Sequence, residues 1–401
     1  MIDVFFTKMI CHFFINMETQ DRPATCLEKV AMTFVGTVNN LFFLIVMSSA
    51  QRIVEHYNEK GAVPAVDMAC TFCGLFAGSV NTLFSALNFT YDFRFFTNAS
   101  LMAIGLIGCA YAPKFWTCLI SILFVGFSCN FGESVTLGYL AYINKSSLMK
   151  FWGIGTGTAG ILGSLFSILV ISFKFDYKYS FLSLLPLVAI YFCSYFFILR
   201  EKKKGNEQLN STALLSQQET EPTHPDEKVK VWSWSYLRKI IYYIITCDTV
   251  YFAQYVIASA FYDCAHTQEF QKTHKYFFPL LLLVQHVAVL LFASTLTFFE
   301  FPHLTYIALF QMFNFCIWLS QAMLHWMTTW SEFLFVFLVG AMGGLSYANT
   351  FNMILKDKNL TQKESELGTN ITALTETISV LIATGFGQIA EKTFLKPYVP
   401  Q

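Results

Sequence analysis

Eleven stretches of this chain are apolar for about 20 residues each, the length that an α-helix needs to cross the hydrocarbon core of a bilayer. They lie near residues 30–50, 65–88, 95–112, 116–143, 152–173, 179–199, 236–262, 276–298, 303–325, 330–355 and 369–391. A soluble domain carries about 25% charged residues, whereas here 13% are charged and 55% are hydrophobic. The pattern predicts an all-α polytopic membrane protein and excludes a soluble globular domain.

A hydrophilic interval divides these segments into six and five. Residues 200–235 begin with several charged residues and continue rich in Gln, Glu, Ser and Pro, without the apolar periodicity of a folded element. We therefore expect four parts: an N-terminal segment 1–29, a six-helix half 30–199, a flexible loop 200–235 and a C-terminal helical half 236–401. This layout is that of the major facilitator superfamily, in which two half-bundles rock about a site near the bilayer midplane.

The basic residues orient the bundle, because cytosolic connections carry an excess of Lys and Arg. With residues 200–235 in the cytosol, 17 of the 26 basic residues are cytosolic, and so is the N-terminus. All six N-x-S/T sequons then fall on or near the cytosolic side, which predicts an unglycosylated protein. Residues 1–16 are apolar but lack the features of a signal peptide, and are interpreted as a weak anchor or a gene-model extension.

Few ionisable side chains interrupt the apolar segments. Glu133 and Glu376 are functional hypotheses by default, because an ionisable group at the membrane centre is costly. Each would either bind a proton or a substrate cation, or pair with a neighbouring polar group as a packing residue. Asp248 is expected to be a solvated helix end, and His286 a hydrogen-bonded histidine whose alternative role is titration in an acidic lumen.

Amide side chains form a second group of polar residues. Asn39 and Asn40 lie in the middle of the first segment, and Asn349 lies in the tenth, after Gly343 and Gly344. Amides can hold transmembrane helices together through hydrogen bonds. Their alternative role is hydrogen bonding to a polar solute.

A run of small residues occupies the fifth segment. Gly153, Gly155, Gly157, Gly160 and Gly163 form most of it, at spacings that give a helix a flat face. Such a face allows another helix to approach closely, which suits either tight packing or the sliding of a rocking transporter. The run is not a nucleotide-binding loop, because no strand precedes it and no P-loop lysine follows.

Chemistry other than transport has little support in the sequence. The eleven cysteines show no metal-ligand spacing, and Cys70 and Cys73 are interpreted as packing residues. The segments contain neither a nucleophile–base pair nor a set of metal ligands. We therefore expect no enzymatic activity, no metal and no cofactor, and a net charge of zero argues against a nucleic-acid partner.

Four blocks in the same order along nearly the whole chain resemble the battenin family of lysosomal and vacuolar membrane proteins. They are Gly36-Thr37-Val38-Asn39-Asn40 with Met47-Ser48-Ser49-Ala50, Gly132-Glu133 with Gly155-Thr156-Gly157 and Ala159-Gly160-Ile161-Leu162-Gly163, Val250-Tyr251-Phe252-Ala253-Gln254-Tyr255, and Gly343-Gly344 with Tyr347-Ala348-Asn349-Thr350-Phe351 and Thr375-Glu376-Thr377. The resemblance implies a facilitator-like fold in a lysosomal or vacuolar membrane. It also implies roles in lumenal pH balance, basic amino-acid levels and glycerophosphodiester clearance.

From these observations we expect a transporter of a small polar solute, with or without protons, embedded in the lipid bilayer. The alternative is a non-transporting scaffold or regulator that acts on cytosolic partners through residues 200–235. The candidate substrate or coupling residues are Asn39, Asn40, Glu133, Gln254, Asn349 and Glu376. Gln254 departs from the family, whose motif has Glu at that position. If that acid carries protons, coupling here falls to Glu133 and Glu376.

Overall fold

The computed structural model describes residues 24–143, 148–200, 234–297 and 300–398. The regular elements within these ranges are helices. Residues 1–16, the sequon at Asn144 and the loop 200–235 except its ends lie outside the described residues.

Within the described residues, eleven helices are long and apolar enough to cross a membrane, as the sequence predicts. We name them α1 to α11. They are α1 Cys26–Ser48, α2 Val63–Phe72 with Gly74–Ala86, α3 Tyr91–Tyr111, α4 Phe115–Tyr142, α5 Met149–Ser172, α6 Tyr177–Leu182 with Leu185–Cys193 and the π-helix Ser194–Leu199, α7 Trp234–Val256 with the π-helix Ile257–Phe261 and Tyr262–Cys264, α8 Phe277–Ala293 with the 3₁₀ turn Ser294–Thr297, α9 Leu304–Leu324, α10 Thr329–Lys356 and α11 Gln362–Lys392. Two short helices, Ala50–Tyr57 and Gln268–Thr273, lie in connections.

Helices α1 and α11 each begin with a capping box, several residues before the apolar segment that predicts them. At α1 the Thr25 hydroxyl accepts a hydrogen bond from the Glu28 backbone N–H, while the Glu28 carboxylate accepts one from the Thr25 N–H. Thr361 and Glu364 make the same reciprocal pair at α11. This pairing satisfies backbone groups that the first turn leaves free, and it lets α11 begin before its membrane-spanning part, Ile371–Lys392.

The helix packing repeats between the two halves. In the first half α1 packs on α5 and α2 on α4, and in the second half α7 packs on α11 and α8 on α10. The halves meet through α5 with α8 and through α2 with α11. The fold is therefore the predicted facilitator-like bundle in two halves.

At one end of the bundle, hydrogen bonds join the two halves directly. We call the end that carries the connection 49–62 the 49–62 face, and the opposite end the 82–90 face. At the 49–62 face the Gln51 amide donates to the Gln271 side-chain oxygen at 2.7 Å, and the Gln388 amide donates to the Gly61 carbonyl at 2.7 Å. Both bonds cross from one half to the other, so this face is closed.

Candidate functional site

Glu133 and Glu376 come together in the interior of the bundle, one from each half. Glu133 lies on α4 and Glu376 on α11, and each carboxyl is within electrostatic range of the other. The Tyr251 hydroxyl of α7 lies close to the Glu376 carboxyl, and Tyr347 of α10 lies within electrostatic range of both acids. We call Glu133, Tyr251, Tyr347 and Glu376 the central site.

The side chains of the central site are partly exposed although they lie inside the bundle. Tyr347 is 48% exposed in spite of its central place in α10, and the other three side chains are half-buried. The Tyr251 ring stacks on the Tyr255 ring one turn along α7, with centroids 6.2 Å apart. The site therefore brings two carboxyls and aromatic hydroxyl groups together at partly exposed positions between the halves.

Asp248 lies beside the central site and not at a helix end. Helix α7 begins at Trp234, so Asp248 lies well inside it. Its carboxyl interacts with the Thr375 hydroxyl of α11, and no described residue is hydrogen-bonded to its oxygen Oδ1. The expectation that Asp248 is a solvated helix end is wrong, because the helix begins at Trp234 and continues past Asp248.

The amides of α1 are hydrogen-bonded within the protein. The Asn39 amide donates to the Cys129 carbonyl at 2.7 Å, and Asn98 donates to the Asn39 oxygen at 3.1 Å. The Asn40 amide donates to the Thr156 hydroxyl at 3.2 Å. These bonds join α1 to α3, α4 and α5, which matches the helix-joining role more closely than the solute-binding one.

Asn349 also serves a connection rather than the central site. Its side-chain oxygen accepts a hydrogen bond from the Phe301 backbone N–H at 2.7 Å, and its amide donates to the Leu345 carbonyl at 2.9 Å. The side chain is 1% exposed. Asn349 therefore ties the connection between α8 and α9 to the end of α10.

One arrangement occurs in both halves and was missed in the sequence. Gly132 of α4 lies so close to the Asn39 and Asn98 side chains that a Cβ there would overlap both. Gly343 of α10 meets Gln254 of α7 in the same way. In each half an amide of the first helix thus packs on a glycine of the fourth. The two halves share a glycine on the fourth helix that lies opposite an amide on the first. This pairing becomes apparent only when the sequences of the two halves are compared helix by helix.

Gln254 differs from the other amides in its hydrogen bonding. It is 8% exposed, and its oxygen Oε1 has no partner among the described residues. Its close packing on Gly343 leaves it beside the central site, on the same helix as Tyr251. Among the candidate amides it alone keeps an unpaired oxygen atom within the described part of the chain.

The glycines of α5 face two different helices. Gly155 and Gly163 lie against the α1 backbone, at Thr37 and at Leu44 and Ile45. The other two contact the second half, Gly157 at Leu290 and Gly160 at His286 of α8. Gly153 is exposed.

His286 sits at this contact between the halves. Its Nδ1 atom lies 3.3 Å from the Ser164 hydroxyl of α5. The histidine is therefore hydrogen-bonded across the interface between the halves.

Further carboxyls are buried near the 49–62 face, and sequence reasoning missed them. Asp67, Asp263 and Glu391 are 2%, 3% and 1% exposed. Each lies near one end of an apolar segment, where a charged residue is ordinarily solvated. The three acids are visible in the sequence, but their positions near segment ends predict solvent exposure, whereas the structure buries them.

A cavity of about 260 Å³ also opens at the 49–62 face, away from the central site. Arg52 and Glu55 line it from the first half and Lys275 from the second. Among the described residues no group of three or more His, Cys, Asp or Glu side chains could hold a metal ion.

Comparison with known proteins finds relatives over nearly the whole chain. The family model described as "CLN3 protein" matches residues 30–396. Battenin of Dictyostelium discoideum is 27% identical, covering 93% of this chain and 96% of that protein. Protein BTN1 of Kluyveromyces lactis is 27% identical over 90% and 92%, and Battenin of Canis lupus familiaris is 23% identical over 82% and 83%.

Solved structures of similar shape are transport proteins. A D-xylose-proton symporter superposes with a TM-score of 0.62 at 11% identity, covering 91% of this chain and 90% of that one. A POT family transporter bound to a thioalcohol-conjugated peptide superposes with a TM-score of 0.65 at 11% identity, with 92% of each chain covered. At such low identity the likeness shows the fold alone.

Proposed function

The chain belongs to the CLN3 protein family, and on that premise we propose that it transports a small polar solute across a membrane. The observation that carries this proposal is the central site, where a partly exposed carboxyl from each half lies within electrostatic range of the other. In facilitator-like bundles a solute site lies near the bilayer midplane between two halves that rock about it. A pair of ionisable acids at that place is energetically costly, which makes a functional role the default interpretation.

The chemistry of the central site favours a cationic or zwitterionic solute. Its carboxyls attract positive charge, and tyrosine rings add attraction through their π faces. In the described spans the basic side chains lie near span ends, and these are Lys29, Arg94, Lys178, Arg238, Lys239 and Lys392. We therefore assign the solute to the basic amino-acid class, ahead of a glycerophosphodiester, whose phosphate would meet two carboxylates.

The other predicted residues have supporting roles in this proposal. Asn39, Asn40 and Asn349 hold helices and a connection in place. Gly157 and Gly160 allow α5 and α8 to lie close at the interface that moves when the halves rock. Gln254 is the amide that remains available to the solute path.

We also propose a lysosomal or vacuolar membrane location, with residues 200–235 and the 82–90 face in the cytosol. The excess of basic residues on that side supports this orientation, and the family resemblance supports the compartment. The same orientation keeps the four-part division into 1–29, 30–199, 200–235 and 236–401. Transport is preferred over regulation through 200–235 because the central site lies within the bundle.

The test is uptake of radiolabelled arginine into proteoliposomes that contain the purified full chain. We expect Glu133→Gln and Glu376→Gln each to reduce uptake by roughly tenfold or more, because a hydrogen bond to a charged group contributes about 1.5–3 kcal/mol. Glu59→Gln is the matched control, since Glu59 is an exposed acid in the 49–62 connection. Uptake that is unchanged in both central variants would contradict the site. Metabolite profiling of purified lysosomes or vacuoles, with and without the protein, identifies the solute class directly.

A further inference from the structure

Three carboxyls from both halves are buried at the closed 49–62 face. Asp67 lies on α2 in the first half, whereas Asp263 and Glu391 lie on α7 and α11 in the second. Each is at least 97% buried. They lie where α2 packs against α11 and the end of α7, so they occupy the contact that closes this face.

Glu391 lies near the other two acids and is not hydrogen-bonded to any described residue. Both of its carboxyl oxygens, and Oδ1 of Asp67, have no hydrogen-bond partner within the described part of the chain. Glu391 lies within electrostatic range of both Asp67 and Asp263. The Gln51 side chain of the first half, whose amide donates to Gln271, also lies close to the Asp263 carboxyl.

The groups that face these acids from neighbouring elements do not neutralise them. Glu55, from the short helix after α1, adds a further acid near Asp263. Cys264 lies next to Asp263 and Glu391, and Cys70 and Tyr255 lie near Asp67. The basic group acting on Glu391 is Lys392, whose side chain is exposed at the end of α11.

Glu55 has basic partners of its own. It faces Lys275 and Arg52 in the cavity at this face. Burial nevertheless raises the pKa of the Glu55 carboxyl above its ordinary value. The basic residues of this cavity therefore serve Glu55 rather than the three buried acids.

Glu332, a further buried acid at the same face, has close polar neighbours. Its Oε2 atom lies 2.9 Å from His266 Nε2, and its Oε1 accepts a hydrogen bond from Gln321 at 2.7 Å. An uncompensated buried carboxylate is far more costly than a neutral carboxylic acid. Among the described residues, Glu391 and Oδ1 of Asp67 have no hydrogen-bond partner, so we expect closure of this face to require that both acids carry protons.

We propose that Asp67, Asp263 and Glu391 form a proton-binding gate at the 49–62 face. As the face closes, each carboxylate takes a proton from the solution on that side and becomes a neutral carboxylic acid. As it opens, water reaches the acids and each returns its proton to the same side. The proposed ligand is a proton, since among the described residues no group of three or more His, Cys, Asp or Glu side chains could hold a metal ion.

The proton-binding gate rests on the rocking motion of the proposed transport function. It also predicts the direction in which pH shifts the balance between the closed and the open state. The closed state binds more protons than the open state, so acid on this side favours closure. For each carboxyl that is protonated only in the closed state, the ratio of closed to open molecules falls at most about tenfold for each unit by which the pH rises. Three such groups allow at most about a thousandfold per unit.

Spin-label distances across the 49–62 face test the gate in the full-length protein. Labels at Lys114→Cys in the first half and Thr329→Cys in the second report opening, with the exposed Cys26, Cys193 and Cys316 replaced by serine. We expect the wild-type pair to move apart as the pH rises from 5 to 7.5. The neutral triple variant Asp67→Asn, Asp263→Asn, Glu391→Gln is expected to stay closed at both pH values.

Glu300→Gln is the matched control, because Glu300 is an exposed acid at the opposite face that pairs with Lys356. It should keep the wild-type pH response. If the triple variant does not fold, each single substitution should reduce the pH dependence by up to about tenfold per unit. A triple or single variant with the wild-type pH dependence, or a wild type whose distance ignores pH, would overturn the gate.

The distance measurement needs no solute, so the two proposals can fail separately. A protein that opens with pH but moves no arginine would contradict the transport proposal and leave the gate standing. A protein that transports arginine but whose spin-label distance does not change with pH would contradict the gate and leave the transport proposal standing.

Discussion

Replacing Gly155 by alanine tests the closest contact within the first half. A Cβ at this position would lie 2.7 Å from the backbone nitrogen of Thr37, and closer still to the Thr33 carbonyl oxygen. Ordinary van der Waals contact begins at 3.4 Å. Because both blocking atoms belong to the α1 backbone, no side chain can rotate away. Helices α1 and α5 must separate by at least about 0.7 Å.

The cost follows from this geometry. Forcing an extra methyl group into a packed interface costs about 1–3 kcal/mol, and the shift here involves two whole helices, which favours the upper end. Alanine gains up to about 1 kcal/mol as a helix former. Gly385→Ala is the matched control, because nothing lies within 4 Å of a Cβ there and that gain is unopposed.

Thermal unfolding of the purified protein measures the difference. A thiol-reactive dye reports unfolding as buried cysteines become accessible, among them Cys70, Cys109 and Cys129. Unfolding entropy of about 2.1 cal/mol/K per residue gives a shift near 1 °C per kcal/mol for a chain of this length. We expect Gly155→Ala to melt about 2–4 °C below Gly385→Ala. Equal melting temperatures would refute the α1–α5 contact.

Two further predictions concern charge. The Thr361 backbone N–H and the Lys239 ammonium lower the pKa of the Glu364 carboxyl. The ionised carboxyl therefore stabilises the folded protein at pH values above its ordinary pKa, and this stabilisation is lost as the pH falls through its lowered pKa. Glu364→Ala should therefore unfold more easily than wild type by about 1 kcal/mol at pH 7, and the gap should shrink by pH 3; a constant gap in melting temperature would contradict the pairing. Gln254→Glu places an unpaired carboxyl against Gly343, so this variant should melt lower at pH 8 than at pH 5 relative to wild type. A pH-independent difference would show that the new acid finds a partner.

The number and placement of the membrane helices follow from sequence because they depend on local properties. An apolar run of about 20 residues must form a helix in a bilayer, where each backbone group needs an internal hydrogen bond. The start of α11 was also readable, since Thr361 and Glu364 have the spacing of a capping box.

The environment of each polar residue was decided by tertiary structure. The sequence singled out Asn39 and Glu133 alike, yet Asn39 joins helices whereas Glu133 faces Glu376 across the two halves. Their roles depend on how each helix is rotated and on which helix of the other half it meets. Asp67 and Glu391 lie more than 300 residues apart in the chain, and closure of one face buries both. A local pattern determines that a segment spans the membrane, but only contacts between distant segments determine which of its charges water can reach.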